Sequence, residues 1–244
     1  MRVFLPGQDS PLGKTTLNVL PCVNPYTRKI SFIELYNVGN QEFAWSTKVS
    51  DSWIRLSKQS GTTLLQERII ISVDWDKVPI GERITGEIEI VSGNNIEKVY
   101  LPVFNPVYPT VSELKGWYVE DNGCVSINPG KYHRKVENKD IKIQVIEGLG
   151  YENQCIRLGE PIKPVQNPRR SKKAAKVEYD FYTFNAGSVT VYTYALPVFP
   201  INLEHGTCFG VMIDDGLLKY ASNNAKEYSC LLYTSDAADD RISV

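Results

Sequence analysis

Residues 177–202, VEYDFYTFNAGSVTVYTYALPVFPIN, decide the fold class of this chain. Apolar or aromatic side chains alternate with other residues in 177–182 and again in 189–192, and the turn-forming sequence NAGS lies between these runs. Because successive side chains of a strand point to opposite faces, this pattern predicts a central β-hairpin. The side chains predicted to be buried are Val177, Tyr179, Phe181, Val189 and Val191.

The apolar segment that follows the predicted hairpin contains two prolines, Pro197 and Pro200. Each proline removes a backbone N–H donor, so residues 196–201 cannot continue a central ladder. The segment is predicted to be a crossover at a sheet edge, where its apolar side chains need a surface to pack against.

Length and charge narrow the class of protein. A chain of 244 residues holds one large domain or two ordinary ones, and two small β domains fit best. The net charge of −1 favours neither nucleic acid nor an anionic membrane as a partner. No apolar run is long enough to cross a bilayer, and the opening MRVFLPGQDSPLG lacks the apolar centre of a signal peptide.

Neither a cofactor nor a metal is predicted. The five cysteines have unrelated spacings and form no CxxC pair, so they are interpreted as buried small hydrophobic residues. They are Cys22, Cys124, Cys155, Cys208 and Cys230. Residues 7–15 resemble a phosphate-binding loop, but five residues separate its glycines where such a loop has four.

The first half of the chain carries short alternating patterns divided by Gly- and Asn-rich turns, which is typical of a β-sandwich. The predicted strands lie within 31–39, 43–49, 69–75, 86–90 and 99–103. Trp45, Trp53 and Trp75 are expected in the core, because a tryptophan supplies much of the buried area of a small sandwich.

Strand patterns resume after the proline-containing segment 105–110. They lie at 117–120, 124–127 and 141–145, in the hairpin, and around 208–213. The prediction is an all-β chain of two consecutive antiparallel β-sandwich domains. Its ranges are 1–27 as a linker or remnant of a preceding domain, 28–107 as an immunoglobulin-like linker domain, and 108–229 as an incomplete C-terminal sandwich.

Two further segments are set apart from the fold. Residues 161–176 are interpreted as a solvated loop, in which no aromatic residue is interleaved among the basic residues Arg169, Arg170, Lys172, Lys173 and Lys176. Residues 230–244, CLLYTSDAADDRISV, break the strand rhythm, and their first ten residues resemble a translated sequencing adapter. The range 230–244 is therefore predicted to be a non-native tail that leaves the second sandwich cut short.

No residue is predicted to be catalytic. The adjacent or near-adjacent carboxylates, Asp74 with Asp76 and Asp214 with Asp215, lie at a strand end and in a predicted turn. The two histidines, His133 and His205, lie far apart in sequence with no nucleophile motif nearby.

Several stretches in order resemble the C-terminal region of glycoside hydrolase family 115, the xylan α-1,2-glucuronidases. These stretches lie at 32–62, 71–90, 116–135 and 145–154 and in the hairpin through ALPVFPIN, and the likeness covers most of 28–215. Members of this family release glucuronic acid or its 4-O-methyl ether from xylan with inversion, using a barrel domain upstream of the matched region. The resemblance implies a non-catalytic fragment of a secreted enzyme, either extracellular or periplasmic.

The resemblance also implies partners. In the family this region packs on the catalytic body and contributes to a dimer, so the expected partners are the upstream catalytic domain of the same polypeptide and a second copy. The residues assigned to this interface are Tyr192, Tyr194, Leu196 and Phe199.

An alternative hypothesis is a stand-alone carbohydrate-binding module for hemicellulose, with xylan or glucuronoxylan as ligand. Flat aromatic rings cover the apolar C–H faces of sugars while polar neighbours bind the hydroxyls. The candidates are Trp117, Tyr118 and Tyr132. A complete small enzyme of another type is a third hypothesis, which release of uronic acid by this polypeptide would support.

Overall fold

A computed structural model describes residues 1–13, 18–139, 141–159, 174–196, 208–222 and 241–243. All regular elements in these ranges are β-strands, which confirms the all-β prediction. Over the same ranges, no helix is long and apolar enough to cross a membrane. The chain divides into two compact units, the first formed by 1–125 with 181–183 and the second by 126–180 with 184–244.

Eighteen strands follow one another along the described chain. The first eight are β1 (Arg2–Phe4), β2 (Ser31–Tyr36), β3 (Phe43–Val49), β4 (Ile54–Leu56), β5 (Ser60–Thr63), β6 (Gln66–Val73), β7 (Gly81–Ser92) and β8 (Asn95–Asn105). The next five are β9 (Tyr118–Val119), β10 (Arg134–Val136), β11 (Ile143–Glu147), β12 (Gln154–Leu158) and β13 (Lys176–Glu178). The last five are β14 (Phe181–Tyr182), β15 (Tyr192–Tyr194), β16 (Cys208–Val211), β17 (Lys219–Ser222) and β18 (Arg241–Ser243).

The first unit contains two four-stranded antiparallel sheets with the orders β1-β2-β6-β4 and β5-β3-β7-β8. Inward-facing side chains of both sheets enter one hydrophobic cluster. Its fully buried members include Ile33 and Ile69 from the first sheet and Ile88 and Leu101 from the second. A shared core between two sheets is consistent with the predicted β-sandwich.

The alternation read from the sequence corresponds to alternating burial. Along β2, Ser31, Ile33 and Leu35 are buried while the residues between them are only partly covered. Trp45 and Trp53 are also buried, and Trp75 packs at the edge of the cluster, which confirms the assignment of the three tryptophans to the core.

The open edge of β8 is covered by residues 18–23, part of the range assigned to a linker or remnant. This segment runs parallel to β8, where the N–H of Leu20 donates to the carbonyl of Tyr100 at 2.9 Å and the N–H of Val23 donates to that of Pro102 at 3.1 Å. Covering an edge removes a row of unpaired backbone groups that would otherwise pair with another chain.

The second unit, as far as it is described, consists of two-stranded pairs. β10 pairs with β13, β11 with β12, β15 with β18 and β16 with β17, all antiparallel. β11 and β16 lie where strands were predicted, and β12 lies where none was predicted. Residues 124–127 form no strand beyond one bridge between Asp121 and Cys124. A second sandwich stays a prediction, as do the domain boundaries at 27/28, 107/108 and 229/230.

The predicted central hairpin is wrong. Its first run is divided between β13, which pairs with β10, and β14, which pairs in parallel with β9 in the first unit. Its second run contributes β15, which pairs with β18, and Val189 is exposed instead of buried. The alternating pattern indicates a strand, but backbone ladders form between any two extended segments, so the pattern does not choose the partner.

The prediction that the cysteines are buried is wrong for the three whose side chains are described. Cys124 is exposed, and Cys22 and Cys155 are half-buried, all three as free thiols. Burial raises the pKa of the Cys22 thiol, which disfavours the reactive thiolate. The side chains of Cys208 and Cys230 lie outside the described residues, as do the basic residues of 161–173, His205, Phe199 and the tail at 230–240.

Candidate functional surfaces

Trp117 and Tyr118, two of the three proposed sugar-binding residues, lie at the start of β9 in the first unit. Gly116, with φ +91°, turns the chain into this strand, and the N–H of Trp117 donates to the carbonyl of Leu114 at 3.0 Å. The Trp117 side chain is 45% exposed, whereas Tyr118 is half-buried and its backbone pairs with Phe181. Trp117 therefore offers the more accessible aromatic surface of the two.

A buried polar network follows directly after β9. The Asp121 carboxylate accepts hydrogen bonds from the side-chain amides of Asn24 and Asn122, each at 3.0 Å, and lies 2.7 Å from the Lys29 ammonium. The Asn122 amide also bonds to both backbone groups of Cys22, at 2.9 and 3.2 Å. These contacts tie the turn at 121–124 to the N-terminal segment of the first unit.

Residues 109–114, which precede β9, are held by hydrogen bonds to Tyr26 and within their own turn. The Tyr26 hydroxyl donates to the carbonyl of Pro109 at 2.5 Å. Burial raises the pKa of Tyr26, and the charges of Tyr182 and Glu113 raise it further. Hydrogen bonds from Thr110 lower the pKa of Glu113, so this carboxylate stays ionised and acts as a cap of the turn at 110–114.

Tyr132, the third proposed sugar-binding residue, lies in the second unit beside a cluster of charged groups and is half-buried. Arg134 binds Asp180 through two bonds of 2.6 and 2.7 Å and Glu178 through one of 2.8 Å. The backbone N–H of Asp180 donates to Nδ1 of His133 at 3.0 Å. The charges of this cluster are already paired with one another, so it is best explained as a brace between β10 and β13.

The proposed interface residues form an exposed stripe in the second unit. Tyr192, Tyr194 and Leu196 are exposed, and Thr193 and Ala195 between them are half-buried, as expected of an extended segment. Tyr151, at the tip of the β11–β12 hairpin, stacks on Tyr194 with ring centroids 5.9 Å apart and ring planes 18° from parallel. We call Tyr151, Tyr192, Tyr194 and Leu196 the tyrosine stripe.

Asp74, a member of one of the carboxylate pairs considered in the sequence, is paired with two cations. Hydrogen bonding and charge from Arg55 and Lys77 lower the pKa of Asp74. The Arg55 and Lys77 contacts measure 2.6 and 3.4 Å. A carboxyl group held in its ionised form does not supply the proton that glycoside cleavage requires. Across the described ranges, no group of three His, Cys, Asp or Glu side chains is placed to hold a metal ion.

Two of the residues that stand out in the structure were not predicted. Tyr151 is 92% exposed, and its glycine-flanked sequence, GLGYEN, indicated only a turn. Asp121 is buried, although an Asp-Asn-Gly sequence is typical of a solvent-facing turn.

The model of the glycosyl hydrolase family 115 C-terminal domain matches residues 117–229. This match confirms the resemblance of the C-terminal region that was drawn from its sequence. It covers β9 and the described strands of the second unit except β18, and therefore includes the tyrosine stripe. No curated protein matches the chain.

Three similar solved structures each match less than half of the chain. A GH5 xyloglucanase of Bacteroides ovatus in complex with a XXXG heptasaccharide is 17% identical with a TM-score of 0.29, over 42% of this chain and 20% of that one. The MSP-domain protein SSP-19 of Caenorhabditis elegans is 14% identical with a TM-score of 0.25, over 36% and 94%. The CupB2 chaperone of Pseudomonas aeruginosa is 9% identical with a TM-score of 0.28, over 39% and 58%. This chain thus spans a fifth of the xyloglucanase.

Proposed function

We propose that this chain is the non-catalytic C-terminal part of a xylan α-1,2-glucuronidase-like glycoside hydrolase, and that it docks onto the catalytic body of that enzyme through the tyrosine stripe. The module stabilises the assembled enzyme and helps to position the substrate. Because xylan is a polymer outside the cell, the enzyme is placed in the extracellular or periplasmic space.

The observation that carries this proposal is the exposure of the stripe within the family 115-like region. Four large side chains with apolar surface face solvent, and two of their aromatic rings stack on each other. Aromatic residues are enriched in protein interfaces, because a tyrosine buries much apolar area and keeps a hydroxyl for hydrogen bonding. A cluster of this kind on a non-catalytic domain supports a role in protein docking.

The test uses the chain and the catalytic body of the same enzyme produced as two polypeptides. Replacing Tyr192 or Tyr194 by alanine is expected to raise the Kd of the complex about 10-fold or more, equivalent to about 1.4 kcal/mol of binding free energy. Binding is measured by isothermal titration calorimetry. The thermal unfolding of both variants should equal that of the wild type, since both side chains are exposed.

The matched control is Leu217→Ala, which removes another exposed apolar side chain of the second unit that is not part of the stripe. This variant should bind like the wild type. Equal binding by the tyrosine variants would remove the stripe from the interface. A dimer of the chain alone that Tyr192→Ala dissociates in sedimentation would assign the stripe to a second copy instead.

Carbohydrate binding is a second candidate function, and the 45% exposure of Trp117 is the observation that favours it. An exposed indole offers a flat apolar face, whereas most tryptophan surface in folded proteins is covered. In this proposal Trp117 stacks on a sugar ring of xylan, with Tyr118 next to it in the first unit. Tyr132 belongs to the second unit and is a separate candidate for sugar binding.

Native gel electrophoresis in glucuronoxylan tests the second candidate. The wild type is expected to migrate more slowly with increasing polysaccharide, and Trp117→Ala is expected to lose this retardation while keeping its mobility in plain gels. Trp117→Phe retains an aromatic face and should keep part of the effect. Equal mobility of wild type and Trp117→Ala at every concentration would reject Trp117 as a sugar-binding residue.

A further inference from the structure

We infer that Asn122 and Gly123 form a deamidation site that the folded first unit keeps closed, and that its reaction makes unfolding of this unit irreversible. The chain contains a single Asn-Gly dipeptide, and both of its residues are exposed in the turn that follows β9. Such a modification goes beyond the proposed function, because it depends on the first unit alone and not on any partner.

Asparagine is a thermolabile residue, and a following glycine offers the least hindrance to its deamidation. The backbone nitrogen of the glycine attacks Cγ of the asparagine side chain, the bond from Cγ to the amide nitrogen breaks, and ammonia leaves. Water then opens the cyclic imide to aspartate or isoaspartate, so water is the only co-reactant. Because glycine has no side chain to restrict its backbone or cover its nitrogen, the attack is fastest in a mobile Asn-Gly segment.

The turn at 121–124 holds this dipeptide in one conformation. Asn122 has φ +53° and Gly123 has φ +77°, the left-handed conformation that favours asparagine and glycine at the centre of a tight hairpin turn. The N–H of Asp121 donates to the carbonyl of Cys124 at 2.8 Å, and the N–H of Cys124 donates to the carbonyl of Asp121 at 3.2 Å. These two bonds fix the backbone on both sides of the dipeptide.

The side-chain amide of Asn122 is held by three hydrogen bonds. Its nitrogen donates to the carbonyl of Cys22 at 2.9 Å and to Oδ1 of Asp121 at 3.0 Å, and its oxygen accepts the N–H of Cys22 at 3.2 Å. We expect the side chain to leave Cys22 before Cγ bonds to Gly123, since an amide fixed to another segment through both of its polar atoms is not free to close a ring. Attack therefore requires local opening, and its rate follows the population of the open turn.

Deamidation places a negative charge where the amide nitrogen was a donor. The new carboxylate would face Oδ1 of Asp121 and the carbonyl of Cys22, the two acceptors that the amide nitrogen now binds. Because Asp121 is buried, water and salt only weakly screen the repulsion between the two carboxylates. Isoaspartate also lengthens the backbone of the turn. A chain that has reacted while open is therefore not expected to regain its native stability.

The test incubates the purified chain at mildly alkaline pH, with and without urea at an unfolding concentration. Deamidation of each asparagine is followed by peptic digestion in acid and mass spectrometry. Asn122 is expected to react about 10-fold or more slowly in the folded chain, because only its open fraction reacts. Equal rates at Asn122 in the two states would overturn the inference. Asn94 is the internal control, since it is also exposed in a two-residue hairpin turn but precedes Asn95, and it should react slowly in both states.

Refolding tests the loss of reversibility. Wild-type chain kept in urea until Asn122 has reacted should refold to a lower urea midpoint, read by tryptophan fluorescence, than chain refolded at once. Asn122→Asp carries the charge of the product and should show the same lowered midpoint. Asn122→Gly loses the same hydrogen bonds, tolerates the left-handed conformation and carries no charge, so its midpoint should lie above that of Asn122→Asp. A wild-type midpoint in either the fully deamidated chain or Asn122→Asp would overturn the inference, because the turn would then accept the product.

Discussion

Replacing Asp121 by alanine is expected to lower the free energy of unfolding of the first unit by about 3 kcal/mol. The carboxylate is buried and accepts hydrogen bonds from the Asn24 and Asn122 amides. Without it, the buried Asn24 amide is left with one acceptor fewer, and its desolvation is no longer compensated. Lys29, by contrast, is largely exposed and regains water when the ion pair is lost.

Because Lys29 is exposed and Asp121 is buried, substitution of Lys29 is the control for substitution of Asp121. Lys29→Ala should lower stability by less than about 1 kcal/mol, because exposed cations contribute little to ion pairs. Asp9→Ala removes an exposed carboxylate of the same unit and should have no measurable effect. All four tryptophans lie in the first unit, so urea unfolding followed by tryptophan fluorescence reports on that unit. Equal losses in Asp121→Ala and Lys29→Ala would show that charge, not hydrogen bonding, gives the network its stability.

The Asp121 network could not be predicted from the sequence, in contrast to most strands of the first unit. Five of the eight strands of the first unit, β2, β3, β6, β7 and β8, were predicted from the sequence. Burial alternates with period two along strands such as β2 and β7, and this alternation is visible in the sequence. Asn24 and Asp121 are separated by 97 positions, and neither side chain belongs to a periodic pattern. Contacts between irregular segments depend on the finished fold, so local sequence does not specify them.

The failure of the predicted hairpin has a related cause. Residues 177–182 do form strands, but they pair with β10 and β9 instead of with residues 192–194. Side-chain alternation determines which face of a strand is buried, while the ladder is formed by backbone groups that every residue carries. The turn signal at 185–188 was compatible with a hairpin without requiring one.

The candidate surfaces were predictable to a similar degree. The exposure of Tyr192, Tyr194 and Leu196 follows from alternation along one extended segment, and the sequence proposed these residues as an interface. Tyr151 joins them through the β11–β12 hairpin, a placement that required the position of one strand pair relative to another. The sequence therefore indicates the residues of a single strand better than it indicates a surface assembled from several.

Gly86 lies in the middle of β7, and its replacement by alanine is expected to destabilise the first unit. A Cβ built at this position would lie 2.5 Å from Cδ1 of Ile54 and 2.6 Å from Cη2 of Trp53, and both of these side chains are buried. Because the core is close-packed, neither side chain moves away without disturbing its neighbours. Gly86→Ala should therefore lower the free energy of unfolding by about 1–3 kcal/mol, the usual effect of overpacking.

Gly39→Ala is the matched substitution in the same unit, because the added methyl would meet only the Asn37 amide oxygen at an ordinary 3.5 Å. In urea unfolding, the free energies of unfolding of the two variants should differ by about 1–3 kcal/mol. The dependence of this free energy on urea concentration should be the same for both. Replacing Ile54 by valine in the Gly86→Ala background shortens the side chain nearest to the new methyl, and it should recover part of the loss. If Gly86→Ala is as stable as Gly39→Ala, then Trp53 and Ile54 do not pack over β7 as described, and the two sheets meet in another arrangement.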